Sequence, residues 1–194
     1  DPARQPHRRL NPLTGEWVVV SPQRTQRPWN GQTKAATAPA PAFDAGCYLC
    51  PGNERAGGVH NPVYESTFVF ENDFAALEPD APTPATSPDE LFQVDTGAGE
   101  CRVICFSPRH DLTLADMDHA DVVRVIELWR SQLVELEATH RWVQIFETRG
   151  AISGASNAHP HGQIWASDFL PYEAGRELAS QCRYHAAHGR RMLM

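Results

Sequence analysis

Short apolar segments separated by turn-forming residues run along the chain and predict β-strands. The predicted strands cover residues 16–20, 67–70, 102–106, 142–147 and 159–166. Asn, Gly, Pro and Ser clusters bound them, as is typical of strands joined by turns and loops. The third strand ends at Ser107-Pro108 because proline restricts the residue before it and removes a backbone donor.

One longer segment, residues 118–138, predicts an amphipathic helix. Its apolar positions recur in steps of three and four, which places them in one stripe on a helix. Asp118 fits the N-cap, and Asp121 in the first turn suits the helix dipole. The predicted strands are grouped around one long packing helix and do not alternate regularly with helices. This arrangement predicts an α+β fold with an antiparallel sheet. The predicted stripe consists of Val122, Val125, Ile126, Trp129, Leu133 and Leu136.

Two segments rich in Ala, Pro and Thr, residues 32–41 and 80–90, are predicted to be connecting loops. The length of 194 residues fits a single domain, 1–194, or one half of a larger two-part fold. The chain begins at Asp1 without a methionine and ends at Met194 without an evident closing element. These ends predict a fragment of a longer protein.

Composition and charge argue against nucleic acid and membranes as partners and indicate where the protein is located. With 17 Lys and Arg against 24 Asp and Glu, the net charge is -7, which argues against a nucleic-acid-binding surface. No apolar run approaches the ~20 residues of a membrane helix, and no signal peptide is evident, so we expect no membrane partner. The 5 cysteines are odd in number, which disfavours a secreted disulfide framework. A cytoplasmic protein is the expected result.

The most specific signal is the run His159-Pro160-His161-Gly162-Gln163. In an extended strand, His159, His161 and Gln163 share one face, while Gly162 lets a ligand approach the backbone. A bare His-x-His is more often unreactive than catalytic, but the complete run favours catalysis. Neutral imidazole is a good nucleophile at pH 7, and its phosphoryl adduct is a good leaving group once the ring is positively charged. We therefore predict that His161 accepts a phosphoryl or nucleotidyl group.

The residues around this nucleophile fit the same chemistry. The preceding segment, residues 150–157, is small and polar, as expected near a phosphate. Gln163 and Ser156 are predicted to donate hydrogen bonds to phosphoryl oxygens as negative charge develops there.

A second candidate centre is a metal site. Cys47 and Cys50 have the spacing of a thiolate chelate, followed by a turn-forming Pro51-Gly52. A redox pair or two unrelated thiols are the alternatives, and the loop context weakens the redox reading. Zinc needs two more ligands, for which His110 and His159 are the candidates, although His110 alone could be an exposed loop residue. A Cys2His2 site would be structural and would fix the strand that presents His161.

Strings along nearly the whole chain also match one family in order and spacing. Because of them the chain resembles the N-terminal half of galactose-1-phosphate uridylyltransferases, members of the histidine-triad superfamily. The resemblance implies a histidine-triad-like half of a two-part uridylyltransferase fold. The matching strings are His7-Arg8-Arg9, Asn11-Pro12-Leu13-Thr14-Gly15, Ser21-Pro22, Arg27-Pro28-Trp29, Cys47 with Cys50, Asn72-Asp73-Phe74-Ala75-Ala76-Leu77, residues 102–108, Ser156-Asn157 and residues 159–165.

The resemblance implies a role for each matching residue. His161 would accept UMP from UDP-glucose and pass it to galactose 1-phosphate in galactose metabolism, and Gln163 and Ser156 would bind phosphate oxygens. Zinc would be the cofactor, and Glu177 would be a ligand of a second divalent metal, iron or zinc, whose other ligands come from the absent C-terminal half. Members of the family are homodimers. The implied zinc ligands are Cys47, Cys50, His110 and His159, and the implied substrate-binding residues are Arg24, Arg27, Phe70, Asn72, Asp73, Val103 and Asn157.

Two positions decide between related activities. Hydrolases of the superfamily carry a third histidine where this chain has Gln163, and a neutral amide cannot shuttle a proton for water, which favours transfer. Thr148 stands where the family usually has an asparagine near the phosphates or ribose. A related nucleotidyltransferase or phosphorylase that uses another base, such as ADP-glucose, is therefore an alternative. A third reading is a zinc-stabilised nucleotide-binding fragment without turnover.

Overall fold

The computed structural model describes residues 1–28, 40–150 and 153–193, and they fall into two compact units. One unit comprises Asp1–Thr37 with Leu170–Met194, and the other comprises Ala38–Phe169. This division is not apparent from the sequence, which predicts one domain over 1–194. The elements in chain order are β1 (His7–Leu10), β2 (Trp17–Val20), β3 (Phe68–Glu71), β4 (Gly99–Cys105), α1 (His119–Leu136), β5 (Trp142–Glu147), β6 (His161–Ser167) and α2 (Tyr172–His188).

The first unit contains a two-stranded antiparallel sheet, β1 with β2, and the helix α2. The turn between the strands closes because the Gly15 N–H donates to the Asn11 carbonyl at 2.8 Å. Gly15 has φ 74, a conformation that glycine adopts without strain. Helix α2 begins after Pro171 and ends at Gly189, which takes the left-handed C-cap conformation. Helix α2 was not predicted from the sequence.

The second unit is built on a four-stranded antiparallel sheet in the order β3-β4-β6-β5. The register aligns Phe70 with Val103, and both Val103 and Phe146 with Gln163. One row of side chains therefore crosses all four strands on one face. In the next row Cys105 pairs with His161. The strand β6 lies in the centre of the sheet, so the residues of the predicted nucleophile segment have neighbours on both sides.

Helix α1 packs on the opposite face of this sheet. Its predicted N-cap is confirmed, since the Asp118 side chain accepts from the Asp121 N–H at 2.8 Å. The buried face centres on Val125 and Leu136, with Trp129 packed edge-on against Phe106. The predicted stripe is partly wrong: Ile126 is 50% and Leu133 is 39% exposed. The helix is turned so that Leu128 and Gln132 face the sheet instead.

The predicted α+β class with an antiparallel sheet is confirmed, and the strand boundaries move by only a few residues. The predicted strand 159–166 begins later, at His161. His159 is not part of it, because its backbone N–H is bound by the Asn157 side chain at 2.9 Å instead of by a neighbouring strand. Strand β1 was not predicted. The predicted loop 32–41 lies outside the described residues except for 40 and 41, as do residues 151 and 152 of the polar segment.

Among the helices in the described part of the chain, none combines the length and the apolar character that crossing a membrane requires.

Candidate active site and metal centre

A tight loop places Cys47 and Cys50 in the interior of the second unit, where they are 5% and 0% exposed. The Leu49 N–H points at the Cys47 Sγ, 3.4 Å away, and the Cys50 N–H donates to the Cys47 carbonyl at 3.1 Å. The Asn53 amide holds the loop closed by donating to the Asp44 and Cys47 carbonyls at 2.9 and 2.8 Å. The loop is thus closed by hydrogen bonds that leave both sulfur atoms turned to the same side.

Two histidines complete this cluster. The ligand atoms of Cys47, Cys50, His110 and His159 all lie within 4.8 Å of one another, and all four residues are buried. The Cys50 Sγ lies 3.6 Å from the His110 Nδ1 and 3.5 Å from the His159 Nδ1. Two sulfur and two nitrogen atoms at such distances can hold a metal ion. The structure therefore brings together the four residues that the sequence proposed as ligands.

The surroundings of His159 favour its use as a ligand. Its Nε2–H donates to the Ser107 carbonyl at 2.9 Å, which leaves the Nδ1 lone pair facing the two cysteines. Burial lowers the pKa of His159 to about 4, so that its ring is neutral near pH 7, as metal binding requires. Burial also raises the pKa of the Cys50 thiol to about 11. A cation among these atoms would offset the cost of forming the thiolate.

The candidate nucleophile, His161, is directly connected to this cluster. Its Nδ1–H donates to the backbone carbonyl of His159 at 2.7 Å. Because one ring nitrogen carries the proton, the other, Nε2, has its lone pair free for attack. His159 therefore has two functions: its side chain faces the metal cluster, and its backbone oxygen selects the tautomer of His161. The side chain of His161 is 9% exposed.

His161 opens into a cleft of about 640 Å³ in the second unit. The structure thus brings the predicted nucleophile, its two predicted phosphate donors and four predicted substrate-binding residues into one cavity. The lining residues are Tyr48, Leu49, Glu54, Arg55, Ala56, Phe70, Asn72, Asp73, Phe74, Val103, Ser156, His161 and Gln163.

Sequence reasoning missed Arg55, which organises one wall of the cleft. Its guanidinium forms an ion pair with Asp73 at 2.6 Å and lies 3.9 Å from the centre of the Phe70 ring. The Arg55 side chain is only 10% exposed, and that of Asp73 is 22% exposed. Nothing in the local sequence predicts this, because the pairing joins a loop to a strand end 18 residues away.

Tyr48 was also missed, although a signal for it exists. It lies between Cys47 and Leu49 in the loop that carries the two cysteines, so any site built on that loop includes it. Its hydroxyl lies 3.5 Å from the Ser156 Oγ. The two hydroxyls stand together at the cleft wall, where each can donate to an anionic oxygen.

Four predicted site residues are not among those that line the cleft. Arg24, Arg27 and Glu177 belong to the first unit, whereas the cleft is formed within the second. Asn157 supports the metal cluster: its Oδ1 accepts from the His159 N–H at 2.9 Å and from the Cys47 thiol at 3.4 Å. Among the residues that the structure describes, Glu177 is not part of a group of three or more metal-binding side chains.

The cleft can hold a ligand with an apolar part and a phosphate part. Phe70 and Val103 offer an apolar floor, while Asn72 and Asp73 offer polar groups at the end of β3. At the other side a nucleophilic nitrogen, an amide and a hydroxyl converge from His161, Gln163 and Ser156. This set of groups is suited to attack on phosphorus, followed by stabilisation of the oxygens that gain charge.

Comparison with known proteins agrees with this chemistry. Residues 1–171 match the family described as "Galactose-1-phosphate uridyl transferase, N-terminal domain". The galactose-1-phosphate uridylyltransferase of Haemophilus influenzae is 51% identical over 195 residues, which cover 100% of this chain and 56% of that protein. That of Rattus norvegicus is 49% identical, with 97% of this chain and 50% of that protein covered. The chain thus spans about half the length of the curated relatives that it matches.

Solved structures with the same fold are more distant in sequence. One, described as "Structure of uridylyltransferase", has a TM-score of 0.62 and 22% identity, and covers 94% of this chain and 52% of that one. An ADP-glucose phosphorylase from Arabidopsis thaliana with bound ADP-glucose has a TM-score of 0.69 and 23% identity, and covers 96% of this chain and 56% of that one. These similarities support the observed fold.

Proposed function

Because the chain belongs to the galactose-1-phosphate uridylyltransferase family, we propose that it transfers UMP from UDP-glucose to galactose 1-phosphate through a uridylyl group on His161. The observation that carries the proposal is the hydrogen bond of 2.7 Å from the His161 Nδ1 to the His159 carbonyl, inside the cleft. It makes Nε2 the nucleophile. The donor and the acceptor are proposed from the family and from the similarity to uridylyltransferases, which extends over nearly all of this chain.

The reaction balances as two displacements at phosphorus. In the first, the Nε2 lone pair of His161 attacks the α-phosphorus of UDP-glucose, and the bond to the bridging oxygen breaks. Glucose 1-phosphate leaves with that electron pair, and the ring keeps its Nδ1 proton and gains positive charge. In the second, a phosphate oxygen of galactose 1-phosphate attacks the same phosphorus, and the P–N bond breaks. The products are UDP-galactose and neutral His161.

Gln163 and Ser156 are the proposed donors to the phosphoryl oxygens. Both line the cleft with His161, and Gln163 lies on the same strand face, two residues further along β6. Their hydrogen bonds strengthen as charge develops on the oxygens, which lowers the barrier more than it tightens ground-state binding. Because an amide cannot act as a general base, water is not activated, and the uridylyl group awaits the sugar phosphate.

Zinc is the proposed ion of the Cys2His2 cluster. In a tetrahedral zinc site with the usual bond lengths, a sulfur and a nitrogen ligand lie about 3.6 Å apart. The two distances from Cys50 Sγ to the imidazole nitrogens, 3.6 and 3.5 Å, fit this value. Zinc would tie the Cys47–Cys50 loop to His110 and His159 and would hold the His159 carbonyl in place. It would take no part in bond making, since four protein ligands would leave no open position.

Three further parts complete the proposal, and the first two come from the family resemblance. Glu177 would be one ligand of a second divalent metal, iron or zinc. The active protein would be a homodimer, which light scattering on the purified chain tests. A cytoplasmic location fits the 5 free cysteines of the chain, because thiols stay reduced in that compartment.

The first experiment is intact mass spectrometry after incubation with UDP-glucose and quenching in base, where a phosphoramidate survives. We expect a gain of one UMP that is lost in His161→Ala. His60→Ala is the matched control, because His60 is exposed, and it should keep the gain. A UMP gain that persists in His161→Ala would refute the assigned nucleophile.

The same assay separates the alternatives. If ADP-glucose donates an adenylyl group faster than UDP-glucose donates a uridylyl group, the result would favour a related phosphorylase. Thr148 and the similarity in fold to the ADP-glucose phosphorylase are the reasons for testing this alternative. Binding of UDP-glucose without any covalent product would favour the nucleotide-binding fragment. The proposed function requires the uridylyl adduct.

A further inference from the structure

The amide of Gln163 is hydrogen-bonded to an aromatic neighbour that has no role in the reaction proposed above. The indole Nε1–H of Trp165 donates to the Gln163 Oε1 at 3.3 Å. The two residues are alternate positions of β6, so they share one face of the sheet. We propose that Trp165 is a positioning residue that orients the Gln163 amide so that its NH2 group faces the phosphoryl oxygens. This inference rests on the proposed uridylyl transfer.

The orientation follows from donor chemistry. An indole N–H can only donate, whereas a glutamine amide has one accepting end and one donating end. The contact with Trp165 therefore occupies the carbonyl end and leaves the NH2 group for the cleft. A flipped amide would lose the indole bond and present its oxygen to an anionic phosphoryl group. The wrong orientation is thus penalised in the free site, before any substrate arrives.

The indole is itself held in place by a neighbouring strand. Phe146, which pairs with Gln163 in the register, packs edge-on against Trp165 with ring centres 5.9 Å apart. Trp165 nevertheless remains 39% exposed. The apolar core under β6 is formed by the opposite face, through Ile164 and Ala166. A large aromatic residue at this exposed position is therefore better explained by its contact with Gln163 than by core packing.

The contact can be tested without any activity. In NMR spectra of the chain labelled with 15N-tryptophan, the signal of the Trp165 indole proton is identified because it disappears in Trp165→Phe. Gln163→Met removes the acceptor and should move this proton upfield, while Gln163→Glu offers a stronger acceptor and should move it downfield. A Trp165 signal that stays the same in Gln163→Met would overturn the inference.

The role is tested by the rate of UMP loading onto His161. Trp165→Phe keeps an aromatic ring for Phe146 and removes only the N–H. We expect loading at saturating UDP-glucose to slow about five-fold, the factor that corresponds to one net hydrogen bond. The half-saturating concentration should not change, because the NH2 group acts on charge that develops in the transition state. Trp142→Phe on β5 is the matched control and should load at the wild-type rate.

A double-mutant cycle distinguishes positioning from a general structural effect. If Trp165 acts through the amide, Trp165→Phe should cost nothing more in a Gln163→Met background. An equal loss in both backgrounds, or a wild-type rate in Trp165→Phe, would overturn the inference. A wild-type chain that acquires no UMP would refute the proposed function, and the indole shift would still decide whether Trp165 orients Gln163.

Discussion

The replacement Cys50→Ser tests whether the Cys2His2 cluster holds the second unit together. Cys50 is fully buried, and its sulfur lies within 3.6 Å of both imidazole nitrogens, so it has the central place among the four ligands. Serine is close in size but does not ionise near pH 7 and is a poor ligand for zinc. We expect the wild-type chain to contain about one zinc ion per chain and the variant, which keeps three ligands, to bind the ion more weakly and to contain less of it.

The size of the effect follows from the ligand set. Four-ligand structural zinc sites contribute about 10–16 kcal/mol of apparent binding free energy, so one ligand accounts for about 3 kcal/mol. A more weakly held ion also leaves the remaining buried ligand atoms poorly satisfied, which adds a penalty of about 1 kcal/mol or more. The free energy of unfolding should thus fall by about 4 kcal/mol, a large share of the 5–15 kcal/mol typical of a whole protein. With a urea dependence of about 2 kcal/mol per M, the midpoint moves down by about 2 M.

Two measurements check this prediction. Elemental analysis of chain purified without chelator gives the zinc content, and circular dichroism in a urea series gives the midpoint. Cys182→Ser is the matched control, since Cys182 is an exposed thiol on α2 outside the cluster. It should keep the zinc and stay within about 0.5 kcal/mol of the wild type. A Cys50→Ser chain with a full zinc complement and an unmoved midpoint would refute the structural role of the metal.

Three other replacements test contacts within the second unit. Arg55→Met leaves the mostly buried carboxylate of Asp73 without its cation and should cost about 2 kcal/mol in urea unfolding; an unchanged midpoint would contradict that ion pair. Gly99→Ala would press its Cβ against the Ala166 backbone oxygen of β6 and should cost about 3 kcal/mol, seen as a lower melting temperature; an unchanged melting temperature would show that β4 and β6 can move apart there. Tyr64→Phe removes the hydroxyl that donates to the Leu49 carbonyl at 2.6 Å and should cost about 1 kcal/mol; urea unfolding equal to wild type would mean that water satisfies that carbonyl.

Much of the second unit could be predicted from the sequence, because its signals are local. The strand β5 was predicted with its observed bounds, since apolar residues fill it from Trp142 and a polar turn follows Glu147. The helix α1 begins at a predicted cap, Asp118, whose carboxylate meets the free N–H of the first turn. The four residues of the Cys2His2 cluster could be predicted because two thiols at chelate spacing require partners, and His159 lies beside the candidate nucleophile.

The features that were not predicted depend mostly on contacts between residues in different parts of the fold or on weak local patterns. The start of β6 was misplaced because the Asn157 side chain takes the backbone N–H of His159, a competition that a strand pattern does not show. Arg55 reaches the cleft only through its long-range ion pair with Asp73. Strand β1 is polar and mostly exposed, so it lacks the alternation that predicts a strand. The helix α2 had usable signals in Pro171 and Gly189, but its apolar pattern is weak.

The strand order has a consequence for the folding of the newly made chain. Strand β6 is the last of the four strands to be synthesised, yet it lies between β4 and β5 in the finished sheet. Until residues 161–167 emerge from the ribosome, β4 and β5 have no partner between them, and their facing edges can bind other extended chains. The segment that carries the nucleophile therefore also completes the sheet. An arrest that leaves residues 161–167 inside the ribosome would expose these edges, whereas an arrest after Ser167 has emerged would not.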